Sequence, residues 1–363
     1  APIGYISSTK EWAAEKGKDW EPYWKDKDTQ LVHFIGKDNI VFHCIIFPVM
    51  LHASGDYILP ENVPANEFLN LEGQKISTSK NWAVWLHEYL EAFPDQQDVL
   101  RYVLTANAPE TKDNDFTWEE FQARNNNELV AIYGNFINRV VVLTHKYYDG
   151  VVPSPESLFK EDQLVLDAMK LLPNKIGHAI TQYRFREASQ LLMQLARIGN
   201  KYLADAEPWK QIKTDPVRVT TIMHTALQIS AGLAVLSEPF LPHTAKKLTA
   251  LLQLEKLQLK WDDVNQKEEL IPTDHKIEKA QLLFQKIEDV QMDEQRAKLA
   301  SSAKQNQSET QIIAPLKPQT TFENFTALDL KVAQIIEAKK VDKTKKLMEL
   351  KVQLGNEIRT VVS

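Results

Sequence analysis

Charged and hydroxyl side chains that suit phosphate chemistry are concentrated in the stretch LEGQKISTSK, residues 71–80. They are Lys75, Ser77, Thr78, Ser79 and Lys80. A lysine ammonium is a compact positive charge that matches phosphate oxygens, and hydroxyl groups add hydrogen-bond donors. Such a loop at the mouth of an α/β sheet can close over a nucleoside triphosphate and stabilise charge as the bond to pyrophosphate breaks. The pattern alone leaves a solvated polar loop open as a second interpretation, because short Lys/Ser runs are common in loops.

A second group of polar candidates falls in a region of helical periodicity. Asn135 and Arg139 are four residues apart, so they lie on one helix face, away from the apolar stripe of that helix. Both side chains can hydrogen-bond base edges. Trp209 follows Pro208 at the end of another predicted helix, where an unpaired base can stack on an exposed indole. A surface Asn–Arg pair, with the tryptophan filling a gap between helices, is the alternative interpretation of the same residues.

Composition limits the class of protein. The 363 residues include 43 Lys+Arg and 49 Asp+Glu, a net charge of −6, which argues against a protein that coats nucleic acid non-specifically but permits a local basic face. Cys44 is the single cysteine, so the sequence contains neither an internal disulfide nor a thiolate zinc site, which fits a reducing compartment such as the cytoplasm. The longest apolar run, 40–51, is too short to span a bilayer.

The segments around the lysine- and hydroxyl-rich stretch 71–80 have the sequence pattern of an α/β domain. LVHFIG, residues 31–36, predicts a buried strand ending at Gly36. The apolar stretch 39–51 is a helix or a strand, which periodicity does not separate. A strand, a glycine turn and a helix suit a doubly wound sheet, where ligands lie at the carboxyl ends of the strands. Helices are predicted within WAVWLHEYLEAF and DQQDVLRYVLTANA, which follow the lysine-rich stretch.

From about Asp113 the periodicity is helical and predicts an antiparallel helix bundle. Thr117 and Glu120 have capping-box spacing, and the segments 187–203 and 217–236 repeat the apolar pattern. A polar helix is predicted at about 276–299, followed by a linker in SSAKQNQSETQ. After Phe322 the alternation LDLKVAQIIEAKKV predicts β-structure.

The motifs, in this order, resemble those of a known family. KISTS resembles the KMSKS signature of class I aminoacyl-tRNA synthetases. APIGY at the start, HFIGKDN at 33–39, FHCIIFP at 42–48 and EPWK at 207–210 are similar to methionyl-tRNA synthetases in particular. The resemblance runs over essentially the whole chain, and the combination is very specific although each piece alone is only moderately so.

The resemblance implies a two-step reaction. Methionine attacks the α-phosphate of ATP, which gives methionyl-adenylate and pyrophosphate, and the methionyl group then passes to the terminal adenosine of the initiator or elongator methionine tRNA. The loop that closes on ATP would contain the lysine and hydroxyl residues of 75–80. The sequence departs from the pattern because Thr78 stands where the family has its second lysine and Ile76 replaces methionine. Our hypothesis is that Lys75 and Lys80 share the task.

The resemblance also implies a methionine site at Tyr5, Phe42, His43 and Ile46. Aromatic rings contact a thioether sulfur favourably, and an imidazole can donate to it, which discriminates against a hydrocarbon of the same shape. Without the resemblance, the apolar members of this set are typical of plain core. We expect a cleft between Tyr5 and His43.

Three further groups of residues receive roles from the resemblance. Asp38 matches a position near the ATP ribose, although an isolated Asp after a Gly-Lys turn is also typical of a helix cap. Asn135, Arg139 and Trp209 match the readers of the methionine anticodon, and we expect Trp209 to be exposed. A basic cluster in the final β segment resembles the start of an appended OB-fold domain that binds tRNA largely without sequence preference and forms a homodimer. The cluster comprises Lys339, Lys340, Lys343, Lys345 and Lys346.

The expected fold class is α/β, the C-terminal half of a Rossmann-type class I catalytic domain, followed by an all-α anticodon-binding bundle and the start of an OB-fold. The predicted domains are 1–112, 113–295, a linker at 296–320, and 321–363. The His-x-Gly-His signature is absent from this sequence, so we expect the chain to be the C-terminal portion of a longer enzyme and inactive alone. Any zinc knuckle is expected upstream of residue 1.

The expected function is therefore that of a methionine–tRNA ligase with ATP, as its magnesium complex, methionine and methionine tRNA as ligands. Two alternatives are a class I synthetase of the leucyl or isoleucyl type and a tRNA-binding protein without catalytic activity. HFIGKDN with the FHC stretch and EPWK disfavour the first. The missing signature and Thr78 favour the second slightly, and the methionine pocket disfavours it.

Overall fold

The computed structural model describes residues 2–309, 321–328, 331–341 and 347–363. The chain divides into two compact units, one up to Ser308 and one from Glu309. The larger unit begins with a mixed α/β part and continues with helices, and the smaller unit contains an antiparallel sheet. These findings confirm the expected class.

The α/β part consists of short strands between helices. Its helices are α1 (Gly4–Lys16), α2 (Pro22–Lys25), α3 (Phe47–Ser54), α4 (Leu86–Ala92) and α5 (Gln97–Ala106). Its strands are β1 (Ile35–Gly36), β2 (Ala65–Asn66), β3 (Leu69–Leu71), β4 (Gln74–Lys75) and β5 (Asn114–Phe116). β1 pairs with β2 in parallel, and β3 lies between antiparallel β4 and parallel β5.

The segment that periodicity left undecided is helical. A 3₁₀ turn (Lys37–Asn39) leads into a π-helical segment (Phe42–Ile46), which continues as α3. The strand predicted at 31–36 is shorter than expected, because Val32 makes only an isolated parallel bridge to Asn62 before β1 begins. Ile6, Trp24, Phe47 and Leu51 form a small buried cluster beneath these elements.

The helical part confirms the predicted bundle. Its main helical elements are α6 (Trp118–Arg124), a π-helical segment (Asn125–Gly134), α7 (Asn135–Tyr148), α8 (Lys160–Thr181), α9 (Phe185–Ala206), α11 (Pro216–Leu236), α12 (Pro242–Leu251) and α14 (Asp289–Glu309). Short helical turns lie between them at α10 (Pro208–Gln211), Glu255–Leu257 and α13 (Asp263–Gln266). Thr117 caps α6 by accepting a hydrogen bond from the Glu120 amide at 3.1 Å, as the capping-box spacing indicates.

Both bounds of the helix predicted at about 276–299 were wrong, and the linker predicted in SSAKQNQSETQ is helical as far as Glu309. Helix α14 begins at Asp289, because the residues before it lie extended against the bundle: the Asn126 side chain bonds both backbone groups of Ile287, at 2.8 and 2.9 Å. The helix continues to Glu309, through most of the stretch that we interpreted as a linker. The 289–309 sequence contains neither Gly nor Pro and is rich in Ala, Gln, Lys and Glu, which favour a helix even without burial.

The smaller unit contains α15 (Phe322–Thr326), β6 (Gln334–Lys340), β7 (Met348–Leu354) and β8 (Glu357–Val362). The three strands form an antiparallel sheet in the order β6-β7-β8. This agrees with the β-structure predicted from the alternation.

Within the described residues, α11 is the helix that has the length and apolarity of a membrane span. In its most apolar window, 89 % of the residues are buried inside the protein, as in the core helix of a bundle.

Close packing of α7 on α9 depends on a glycine. A Cβ built on Gly199 would lie 2.5 Å from the ring of Phe136, which is fully buried, whereas a Cβ on Gly177 of α8 would have only an ordinary contact at 3.6 Å. Alanine at Gly199 must therefore displace a core ring.

We predict that Gly199→Ala lowers the free energy of unfolding by about 1–3 kcal/mol, as for other overpacked cores. Gly177→Ala is the matched control, and its better helix propensity should leave stability unchanged or raised by up to about 1 kcal/mol. Urea denaturation of the two variants measures the difference. Equal stability of both would show that Phe136 is not held in this position.

Candidate functional site

The lysine- and hydroxyl-rich stretch forms a hairpin, which we call the KISTS hairpin (residues 69–82). Its strands are β3 and β4, and the amide and carbonyl of Ser77 exchange two hydrogen bonds with those of Trp82, each 2.9 Å long. The indole of Trp82 donates to the Leu71 carbonyl at 2.9 Å, which fixes the base of the turn. The turn of the KISTS hairpin is therefore held in one conformation by its own hydrogen bonds.

The tip of the hairpin presents its polar side chains to solvent. Asn81 has a left-handed backbone (φ 51°) and donates its amide to the Thr78 carbonyl at 3.0 Å. The Ser77 hydroxyl lies 3.2 Å from that of Ser79 and accepts from the Lys80 amide at 3.3 Å. The side chains of Lys75, Thr78, Ser79 and Lys80 are exposed, and Ser77 is half-buried.

Neither lysine of the hairpin is neutralised by a carboxylate in the described part of the chain: the ion pairs found there do not include Lys75 or Lys80. Thr78 contributes a hydroxyl and no charge. The hairpin therefore presents two positive charges with hydroxyl donors between them, which is the chemistry of a phosphate site.

The imidazole of His43 is held from both sides. Its Nδ1 lies 3.0 Å from the Asn39 carbonyl, which only accepts, so Nδ1 carries the proton. In the neutral ring Nε2 then accepts from the Tyr5 hydroxyl, 3.0 Å away. His43 is buried, while the Tyr5 side chain is exposed. The expectation of a cleft between the two was wrong, because they are in direct hydrogen-bond contact.

Two rings that we did not predict complete this group. His33 stacks on Tyr5 with 5.7 Å between ring centroids, and Phe47 meets Tyr5 edge-on at 6.4 Å. Both are buried. Phe42 and Ile46, the predicted members, are instead exposed on the π-helical segment. The spacing contained a usable signal, since Phe47 lies four residues after His43 and so shares its helix face.

The surroundings of His33 favour its neutral ring. Burial, followed by the nearby His43, lowers the pKa of His33. Its Nε2 is buried without a hydrogen-bond partner among the described residues. The group around Tyr5 is thus apolar and aromatic, with uncharged imidazole at its base.

Asp38 is exposed in the 3₁₀ turn that follows β1. Its Oδ1 accepts from the Asn39 side chain at 3.3 Å. A Cβ on Gly36 would lie 2.8 Å from the same oxygen, so the glycine makes room for the carboxylate. Asp38 lies inside the 3₁₀ turn and not at its N-cap, which is Gly36.

A salt-bridged lysine that the sequence reasoning missed lies next to Asp38. The Lys37 ammonium is 2.5 Å from a carboxylate oxygen of Glu67 and 2.7 Å from one of Asp113. The hydrogen bonds to Asp113 and then Glu67 raise the pKa of Lys37, and the bond from Lys37 lowers the pKa of Asp113. No local signal predicts this contact, because the partners are 30 and 76 residues away.

In the bundle, the structure brings Arg139 and Trp209 together. The guanidinium carbon lies 4.7 Å from the centroid of the indole, a cation–π contact. Trp209 is 37 % exposed, which confirms the expected exposure. Asn135, the first residue of α7, is exposed one turn before Arg139. The three predicted residues thus include one stacked pair with a solvent-accessible indole.

In the smaller unit, part of the basic cluster is described. Lys339 pairs with Glu337 at 2.5 Å and Lys351 with the same carboxylate at 2.8 Å. These two hydrogen bonds lower the pKa of Glu337 to about 2. Lys340 ends β6. Lys343, Lys345 and Lys346 lie outside the described residues.

Comparisons with known proteins show the family to which the chain belongs. A family model described as "tRNA synthetases class I (M)" matches residues 1–141, and one described as "Anticodon binding domain of methionyl tRNA ligase" matches residues 152–304. Methionine–tRNA ligase of Christiangramia forsetii is 66 % identical over 367 residues, 100 % of this chain and 53 % of that protein. The protein of the same name from Flavobacterium johnsoniae is 59 % identical over 388 residues, 100 % of this chain and 55 % of its own.

Solved structures share the fold. Methionyl-tRNA synthetase of Mycobacterium tuberculosis in complex with methionyl-adenylate matches with a TM-score of 0.66 and 25 % identity, over 71 % of this chain and 50 % of that one. Its apo form matches with a TM-score of 0.64 at 22 % identity, over 72 % and 50 %. The chain spans about half the length of the curated relatives it matches. On these matches the chain belongs to the methionyl-tRNA synthetase family.

Proposed function

We propose that this chain forms part of a methionine–tRNA ligase, which activates methionine with ATP and transfers it to its tRNA. The observation that carries the proposal is that the whole chain aligns with curated methionine–tRNA ligases, at 66 % and 59 % sequence identity. Their names specify methionine, which disfavours a ligase of the leucyl or isoleucyl type. A tRNA-binding protein without catalytic activity is disfavoured by the un-neutralised lysines of the KISTS hairpin.

In the first step, the KISTS hairpin binds the phosphates of ATP. Lys75 and Lys80 provide the positive charge, and Ser77, Thr78 and Ser79 provide hydroxyl donors. As methionine attacks the α-phosphate, negative charge accumulates on the departing pyrophosphate, and fixed ammonium groups stabilise that charge. Lys80 supplies the second charge that the family pattern places at Thr78. Asp38 accepts hydrogen bonds from the ribose hydroxyls.

The methionine side chain lies against Tyr5 and His43. Because Nδ1 of His43 is committed to the Asn39 carbonyl, its Nε2 fixes the Tyr5 hydroxyl, and the exposed Tyr5 ring keeps one orientation. A thioether sulfur makes favourable contacts with such rings. Phe42 and Ile46 add exposed apolar surface from the same segment.

The tRNA anticodon binds the other site. Arg139 holds the Trp209 ring by a cation–π contact, and the accessible part of the indole receives an unpaired base by stacking. Asn135 donates to and accepts from a base edge. Because the ring is held before tRNA arrives, less ordering accompanies binding.

The remaining ligands follow from this function. Magnesium enters with ATP as part of the substrate, and the described residues contain no group of three or more His, Cys, Asp and Glu side chains that could hold a metal ion. A homodimer through the C-terminal β-domain and a cytoplasmic location complete the proposal.

Tyr5→Phe in the whole gene product should raise the KM for methionine about fivefold, because the lost hydroxyl leaves His43 Nε2 unpaired at a cost of about 1 kcal/mol. The KM for ATP should not change. Methionine-dependent ATP–pyrophosphate exchange measures both. Tyr23→Phe is the control, since Tyr23 is 45 % and Tyr5 46 % exposed. An unchanged KM for methionine would remove Tyr5 from the site.

Lys80→Ala should reduce the rate of ATP–pyrophosphate exchange by roughly tenfold or more, because one of two charges on the leaving group is lost. Lys213→Ala, an exposed lysine of the bundle, is the control. An exchange rate equal to that of the parent would show that Lys80 does not replace the lysine missing at Thr78.

Trp209→Ala should weaken tRNA charging roughly five- to hundredfold in kcat/KM, since base stacking contributes about 1–3 kcal/mol. Adenylate formation should be unaffected. Trp12→Ala is the matched control, because Trp12 is also 37 % exposed. An equal loss of charging and exchange in Trp209→Ala would contradict the assignment of this residue to the anticodon.

A further inference from the structure

One aromatic ring in the α/β part carries two ammonium groups. The Nζ of Lys37 lies 4.4 Å from the ring centroid of Phe68, and the Nζ of Lys75 lies 5.6 Å from the same centroid. Both distances are within the range of a cation–π contact. Phe68 therefore connects the HFIGKDN segment with the KISTS hairpin.

The local structure explains why Phe68 and Lys75 meet. Phe68 directly precedes β3, and in the hairpin Asn70 of β3 is the partner of Lys75 of β4. Residues 68 and 70 project to one face of an extended chain, so Phe68 is a diagonal neighbour of Lys75. The Phe68 amide donates to the Asp113 carboxylate at 2.9 Å, which anchors the ring from outside the hairpin.

The two lysines differ in what surrounds them. Lys37 is neutralised by Glu67 and Asp113, so its charge is used within the fold. Lys75 contacts the ring, and no carboxylate pairs with it in the described ranges. An aromatic face attracts an ammonium without cancelling its charge, whereas a carboxylate at this place would compete with phosphate.

We infer that Phe68 is a positioning residue for Lys75: its ring holds the lysine ammonium at the base of the KISTS hairpin, ready for the phosphates of ATP. The inference rests on the proposed function of that hairpin. Without the ring, the four-carbon side chain of Lys75 samples many rotamers, and binding ATP must order it. Loss of the Phe68 ring should therefore raise the KM for ATP and leave the KM for methionine unchanged.

The test measures ATP–pyrophosphate exchange by the whole gene product. Phe68→Leu should raise the KM for ATP about two- to fivefold with an unchanged KM for methionine, and Phe68→Tyr should keep the parent value. Phe34→Leu is the control, because Phe34 is an exposed ring that packs on Tyr183 and Phe185. Circular dichroism melting establishes that each variant folds.

A double-mutant cycle with Lys75→Ala separates positioning from a general structural role. If Phe68 acts through Lys75, Phe68→Leu has no further effect on the KM for ATP once Lys75 is alanine. The same change in both backgrounds, or no change in the parent, would overturn the inference while leaving the proposed function intact. If Lys75→Ala itself leaves exchange unaltered, the proposed role of the hairpin fails, and the role of Phe68 fails with it.

Discussion

The carboxylate of Asp113 is the interaction on which the geometry of the catalytic part depends. It accepts from the Lys37 ammonium at 2.7 Å and from the Phe68 amide at 2.9 Å, so one side chain ties the turn after β1 to the start of the KISTS hairpin. Asp113 immediately precedes β5, whose parallel pairing with β3 continues the same connection. Asp38 and the hairpin lysines, which the proposed reaction uses together, are thereby held on one framework.

The lysines on that framework fall into two groups, one paired with carboxylates and one not paired with them in the described residues. Lys37 is matched by two carboxylates and serves the fold, and this pairing is what lowers the pKa of Asp113. Lys75 and Lys80 are also positively charged, but Lys75 lies over an aromatic ring and Lys80 lies next to a hydroxyl group. A lysine that is already paired has to give up its partner before it binds phosphate. Because Lys75 and Lys80 have no carboxylate partner among the described residues, their charge is available at no such cost.

Local interactions could be predicted from the sequence, and long-range ones could not. Helices α9 and α11 and the Thr117 cap depend on residues three or four apart, and these were predicted from the sequence. The start of α14 was missed because Ile287 is bonded by Asn126, 161 residues away in the chain. Among the candidate site residues, the motif resemblance pointed to Tyr5, His43 and Trp209, whereas Asp113 became evident only from its salt bridge to Lys37. Periodicity also assumes a regular α-helix, and the described chain departs from one next to two of the candidate sites, the Tyr5–His43 group and the Arg139–Trp209 pair.

Both departures are π-helical segments of the described chain, Phe42–Ile46 around His43 and Asn125–Gly134 directly before Asn135. A π turn contains more residues than an α turn, so it rotates the faces of the helix that follows. In α7 this rotation is consistent with a fully buried Phe136 against Gly199 and with Arg139 directed to the indole of Trp209. At His43 it is consistent with a buried imidazole between Asn39 and Tyr5 while Phe42 and Ile46 remain exposed. In both places the π-helical geometry thus puts the buried residues that support the candidate site and the exposed residues that a ligand would contact on different faces of the helix.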